Sequence, residues 1–179
     1  FNLKLAGKNK AIAGDFDYKS ILMFSKLALN RTINISNFFR TFFHIVKEFF
    51  NSNYKKRRSL IQPILGFDVF WKQFLKHQPK VATFFTNHVA GMMHRYWDST
   101  FPEDSNKEIN KEDLFNSMSI YKAMDITDKH IGTMIDFCDK NSSDLLLLSA
   151  MGQDHIDWGE YKSEIFLFNS ARLLSKLGL

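Results

Sequence analysis

At 179 residues, 45% hydrophobic and carrying 19 phenylalanines, the chain has the size and composition of one folded domain, which excludes an intrinsically disordered protein. Its 24 lysines and arginines against 19 acidic residues leave a formal charge of +5, a modest basic excess that favours an anionic ligand. One cysteine, Cys138, excludes an internal disulfide and a cysteine-based zinc framework, and a reducing, cytoplasmic location is the expectation.

Charges interrupt the apolar stretches well before the roughly 18 to 20 residues that a membrane span requires. No secretory signal peptide precedes them, so no membrane span is expected. Because the chain opens on Phe1 and not on methionine, it is expected to be a portion of a longer protein.

Apolar residues at Ile21, Leu22, Phe24, Leu27 and Ala28 recur at helical spacing and predict a helix from Asp17 to Leu29. A second helix is predicted over Ser36 to Phe50, with Phe38, Phe39, Phe42, Phe43, Val46, Phe49 and Phe50 on one face and Arg40, Lys47 and Glu48 outside it. A core face is the expected role of that phenylalanine stripe, with a membrane-facing or partner-facing surface as the other reading. On the core reading, truncating Phe42, Phe43 or Phe49 to alanine costs about 3–5 kcal/mol. The cations of "YKKRR" at 54–58 read as a solvated helix end, since no nucleic-acid module accompanies them and no nucleic-acid partner is expected. From Ser59 to His77 the helical pattern resumes, opened or kinked by Pro63.

Pro79 ends that helix, and the β-branched and aromatic run "KVATFFT" at 80–86 predicts a strand. A helix is expected to begin near Val89. After a polar loop that follows Trp97, a long helix is predicted from about Asp113 to Cys138, and "DLLLLSA" at 144–150 predicts a second strand. Strand, helical crossover and strand make a parallel pair. The expected fold is therefore α/β: a central, mostly parallel sheet flanked by helices, with a large helical N-terminal portion. Residues 1–179 form one domain or a fragment of one, helical over 1–78 and strand-helix-strand over 79–179.

In such sheets ligands bind beyond the carboxyl ends of the strands. That edge receives Asn87 and His88 from one predicted strand and Ser149, Gln153, Asp154 and His155 from beyond the other. Asn87, His88, Arg95 and Gln153 are thus candidates for binding an anion, with a helix N-terminus beside them. His88, His94, Asp154 and His155 are candidate metal ligands, although His88 and His94 are six residues apart and do not share a helix face. No catalytic nucleophile is identifiable; Ser149 has no evident general base near it in sequence.

The segment "FFTNHVAGMMHRYW" at 84–97, with "KRR" and "FDVFW" upstream and "LLLLSAMGQDHIDWGEY" downstream, resembles the alkaline phosphatase superfamily near its type I phosphodiesterase and nucleotide pyrophosphatase branch. The resemblance runs from about Arg57 to Tyr161. It implies a hydrolase or transferase of phosphate or sulfate esters that uses divalent metal, zinc or manganese, with a Thr or Ser nucleophile. The chain departs from that family at three places. Asn87 stands where the family carries an Asp, Ala150 and Met151 stand where it carries an Asp-His pair, and no strand bearing the first metal-binding Asp precedes Asp15. The chain therefore reads as an internal portion or degenerate member, expected to show little phosphodiesterase turnover by itself. The alternative is a non-catalytic module that holds an anion or a partner on the same fold.

Overall fold

The computed structural model describes residues 18–105, 108–149, 152, 154 and 170–178, and these are helical or irregular. In chain order the helices are α1 (Tyr18–Leu29), α2 (Ile35–Phe50), α3 (Asn53–Lys56), a 3₁₀ turn (Arg58–Leu60), α4 (Ile61–His77), α5 (His88–Thr100), α6 (Pro102–Ser105), α7 (Lys111–Ser117), α8 (Ser119–Asn141) and α9 (Ser170–Lys176). Among the described residues no helix is long and apolar enough to cross a membrane.

The core forms where α4, α5 and α8 meet. Leu60, Ile61 and Ile64 from the start of α4 pack with Met92 and Tyr96 of α5 and with Ile120, Ala123 and Ile126 of α8. The α8 residues recur at three-residue steps, so one stripe of that helix faces the core. Below this cluster α4 and α8 continue to pack through aromatic rings. Phe67 stacks on Trp71 and on His130, and Phe137 meets both Trp71 and Phe74 edge-on. The two longest helices end in the left-handed region at Gln78 (φ 43°) and Ser142 (φ 49°), which turns their chains away.

The expected sheet is absent: no strand forms among the described residues. Residues 79–87 and 143–149 are extended or irregular connections, and most of their apolar side chains face solvent, including Val81, Phe85, Leu146 and Leu148. Phe84 and Leu145 are half-buried, Phe84 against Phe67 and Phe70. A run of β-branched and aromatic residues becomes a strand only where a neighbouring strand takes up its backbone hydrogen bonds, and neither run has one among the described residues. The α/β assignment and the strand-helix-strand reading of 79–179 are therefore corrected to an all-helical architecture over the described residues. Ala150 falls outside them.

The predicted helices fare differently. α1, α2 and α4 form close to their expected spans, whereas the helix expected over 113–138 is divided. The division falls at Met118, and α7 begins earlier because Asn110 caps it. The Asn110 side chain accepts from Glu112 N and Asp113 N at 2.8 and 2.9 Å, while Asp113 accepts from Asn110 N at 3.2 Å. This reciprocal cap satisfies free N–H groups of a helix too short to persist alone. Asp113 is also buried and accepts from Ser99 Oγ at 2.8 Å, which fastens α7 to α5. Asn110→Ala is expected to lower stability by about 1 kcal/mol in a denaturant titration, and Asn110→Asp to retain most of it.

α2 forms as predicted, but its polarity is inverted with respect to the body. Its buried residues are Thr41 and Glu48, while Phe39, Phe42, Phe43, Phe49 and Phe50 are exposed, the last two by 85% and 86%. Polar contacts hold it in this orientation. Asn34 N and Asn37 Nδ2 donate to the Asp68 carboxylate of α4 at 2.9 and 3.0 Å. Arg58 Nε donates to Glu48 Oε1 at 3.1 Å; the buried Thr41 hydroxyl is satisfied within α2, donating to the Asn37 carbonyl at 2.8 Å. The phenylalanine stripe is thus an outward surface and not the core face expected from its pattern.

Candidate functional site

Without two strand ends facing one crevice, the argument that gathered the sequence-derived candidates loses its geometry. Asn87 precedes α5 and is exposed, with no capping hydrogen bond from its side chain. His94 and Arg95 are exposed on α5, and Asp154 is exposed beyond α8, while Gln153 and His155 lie outside the described residues. His88 is buried and fully engaged. Its Nε2 lies 3.1 Å from the Ala123 carbonyl, which can only accept, so Nε2 carries the proton and Nδ1 accepts from Thr86 Oγ1 at 2.7 Å. Burial lowers its pKa, only partly offset by the bond to Ala123, and the ring is neutral near neutral pH. His88 fastens the start of α5 to α8.

The test for a zinc or manganese site therefore gives a poor fit among the described residues. The free lone pair of His88 is spent on Thr86, and no three His, Cys, Asp or Glu side chains are grouped as a metal ligand set.

A different group of residues does converge. An open cavity lies between α2, the 54–64 segment and α8, with Arg40, Lys47, Arg57 and Lys122 around it and Leu60, Ile61, Ile64 and Ile126 lining it. Among the described residues no carboxylate lines it. Each cation arrives from a different local cause. Arg40 and Lys47 are seven residues apart, two turns along one side of α2, so both reach the same rim. Arg57 is carried inward by the 3₁₀ turn; its guanidinium lies 3.6 Å over the Phe115 ring and donates to the Phe115 carbonyl. Lys122 comes from α8, one residue before the core alanine Ala123.

The electrostatics of the cavity are those of uncompensated positive charge. Burial lowers the Lys122 pKa, and the charges of Arg57, Lys47 and Arg40 lower it further. Arg57 is buried, burial lowers its pKa as well, and its Nε has no hydrogen-bond partner in the structure. Among the described residues Arg40, Lys47 and Lys122 make no ion pair; the pairs between full charges are Lys56–Glu112 and Arg58–Glu48. Glu48, the acid nearest in sequence, is thereby committed to Arg58, and His44 Nε2 lies 3.3 Å from it. His44 is itself driven toward its neutral form by burial, against the raising effect of Glu48. An oxyanion placed here would meet several donors with no acidic competitor, over an apolar lining able to receive a hydrocarbon group.

Sequence reasoning placed Arg40 and Lys47 outside the apolar face of their helix and read "YKKRR" as a solvated end; Lys122 was not singled out. The signal that would have found them is segregation of charge. Residues 18–58 contain nine lysines and arginines and a single acidic residue, Glu48, an imbalance hidden in the near-balanced total. Comparison of the chain with protein-family models, with curated proteins and with solved structures gives no match.

Proposed function

We propose that this protein is an anion-binding helical module whose ligand is a phosphate or sulfate ester with an apolar substituent. The observation that carries this reading is the convergence of Arg40, Lys47, Arg57 and Lys122 on one cavity that no carboxylate lines among the described residues. Four like charges repel one another, and that repulsion is relieved only when an anion enters. The apolar residues Leu60, Ile61, Ile64 and Ile126 favour an ester over the inorganic ion, since the substituent is removed from water as it binds. The cavity supplies charge and donors but no nucleophile paired with a base, so its geometry supports binding better than turnover.

The test is calorimetric titration with inorganic phosphate and with hexyl phosphate. Saturable binding of both is expected, tighter for the alkyl ester. Lys122→Met should weaken binding at least about tenfold by removing a charge-assisted contact. Lys129→Met, on an exposed part of α8, should leave it unchanged. Absence of saturable binding, or equal losses in the two variants, would remove this reading.

A further inference from the structure

We infer that α2 is a docking helix for an anionic lipid surface, with its phenylalanine face in the interfacial layer of the bilayer and Arg40 and Lys47 against the lipid phosphates. The inference starts from the inverted polarity of α2. A helix with a strong apolar stripe ordinarily buries that stripe in its own domain. Here Asn37 and Glu48 join α2 to the body through a hydrogen bond to Asp68 and an ion pair with Arg58, Thr41 is buried on the same side, and Phe39, Phe42, Phe43, Phe49 and Phe50 face out. Such a large contiguous apolar face marks an interaction surface.

Charge decides what covers it. A protein partner or a second copy would be matched by an apolar surface with mixed charge around it, whereas the exposed charges that α2 itself sets beside this face are positive. Glu48 is the only acidic residue of α2 and is buried, while Arg40 and Lys47 flank the stripe and Lys55 follows it, exposed. Across 18–58 nine cations stand against one acid, so the same sign continues on both sides of α2 in sequence. Aromatic residues on one face and Lys and Arg beside them are the composition of a helix that lies in the plane of an anionic membrane surface. The 16 residues of α2 extend about 24 Å, so its axis lies along the surface and does not cross the bilayer.

Phe43 borders both the exposed stripe and the cation-lined cavity, so docking brings the cavity mouth to the headgroup level. The inference shares Arg40 and Lys47 with the proposed anion site but does not require a ligand inside the cavity.

The experiment is co-sedimentation of the full chain with phosphatidylcholine vesicles prepared with and without phosphatidylserine, with phosphate titrations in parallel. Binding is expected to the serine-lipid vesicles, weakened by salt, with little binding to the neutral ones. Because Phe49 and Phe50 are exposed, F49D/F50D should fold with an unchanged melting temperature, lose vesicle binding about tenfold or more, and still bind phosphate. Lys47→Ala should weaken vesicle binding by about fivefold. Vesicle binding with no phosphate binding would support docking and sink the cavity reading alone. Equal binding to both vesicle types, no binding to either, or a concentration-dependent dimer abolished by F49D/F50D would overturn the docking inference.

Discussion

Ile120→Ala is expected to lower the free energy of unfolding by about 2–5 kcal/mol. Ile120 has no exposed surface and sits in the cluster where α4, α5 and α8 meet, beside Met92, which is equally buried. Removing three carbons there loses their transfer free energy and leaves a cavity that three packed helices can close only in part. Phe49→Ala removes a larger side chain but should change stability by about 0.5 kcal/mol or less, because that ring is already 85% exposed. Chemical denaturation of the two variants checks the pair together. A large loss in Phe49→Ala would return the phenylalanine stripe to the core; a small loss in Ile120→Ala would mean that the three-helix junction is not the core.

The contrast shows what the sequence could and could not disclose. Helices were legible wherever a 3.6-residue period ran for three turns or more, as over α2 and α4, since that period has one structural meaning. The direction of an amphipathic face was not. Periodicity shows that α2 has an apolar side, but whether that side meets its own domain depends on tertiary contacts such as Asp68 with Asn34 and Asn37, some thirty residues distant. The two false strands failed for the related reason that short apolar runs acquire a conformation from their neighbours. "KVATFFT" and "DLLLL" have β-favouring or merely apolar composition, yet only Phe84 of the first finds a packed position. The candidate site was hidden by inspection of residues near strand ends, because the converging cations come from α2, the 3₁₀ turn and α8, and no local motif joins them.

The distribution of charge links the two functional proposals. Buried lysine and arginine are costly unless paired, and the half-buried Lys122 and the buried Arg57 bear that cost at a cavity that no carboxylate lines among the described residues. A protein using these cations for stability alone would place carboxylates among them, as it does for Arg58 with Glu48 and Lys56 with Glu112.

Acidification should destabilise the fold by up to about 3 kcal/mol through His130 alone as pH falls from 6.5 toward 4. His130 is 8% exposed, stacks on Phe67 with ring centroids 4.0 Å apart, and meets the edge of Phe84 at 6.2 Å. Its Nδ1 is buried without a hydrogen-bond partner. Burial lowers its pKa to about 4, with smaller contributions in the same direction from His88 and Arg40. The unfolded chain takes up a proton near pH 6.5, whereas the folded protein resists it until about pH 4, so between those values the unfolded state binds more protons. Stability from the neutral ring is therefore complete above pH 6.5 and is lost as pH falls through this window. His88 and His44, also lowered by burial, act in the same sense. Urea titrations at pH 7 and pH 4.5 on the parent chain and on His130→Phe separate this effect from the carboxylates, which titrate in both proteins. His130→Phe keeps a planar ring on Phe67 and carries no proton, so it should lose markedly less stability on acidification than the parent. Parallel losses in the two proteins would show that His130 titrates normally and that its contact with Phe67 and Phe84 leaves the ring accessible to water.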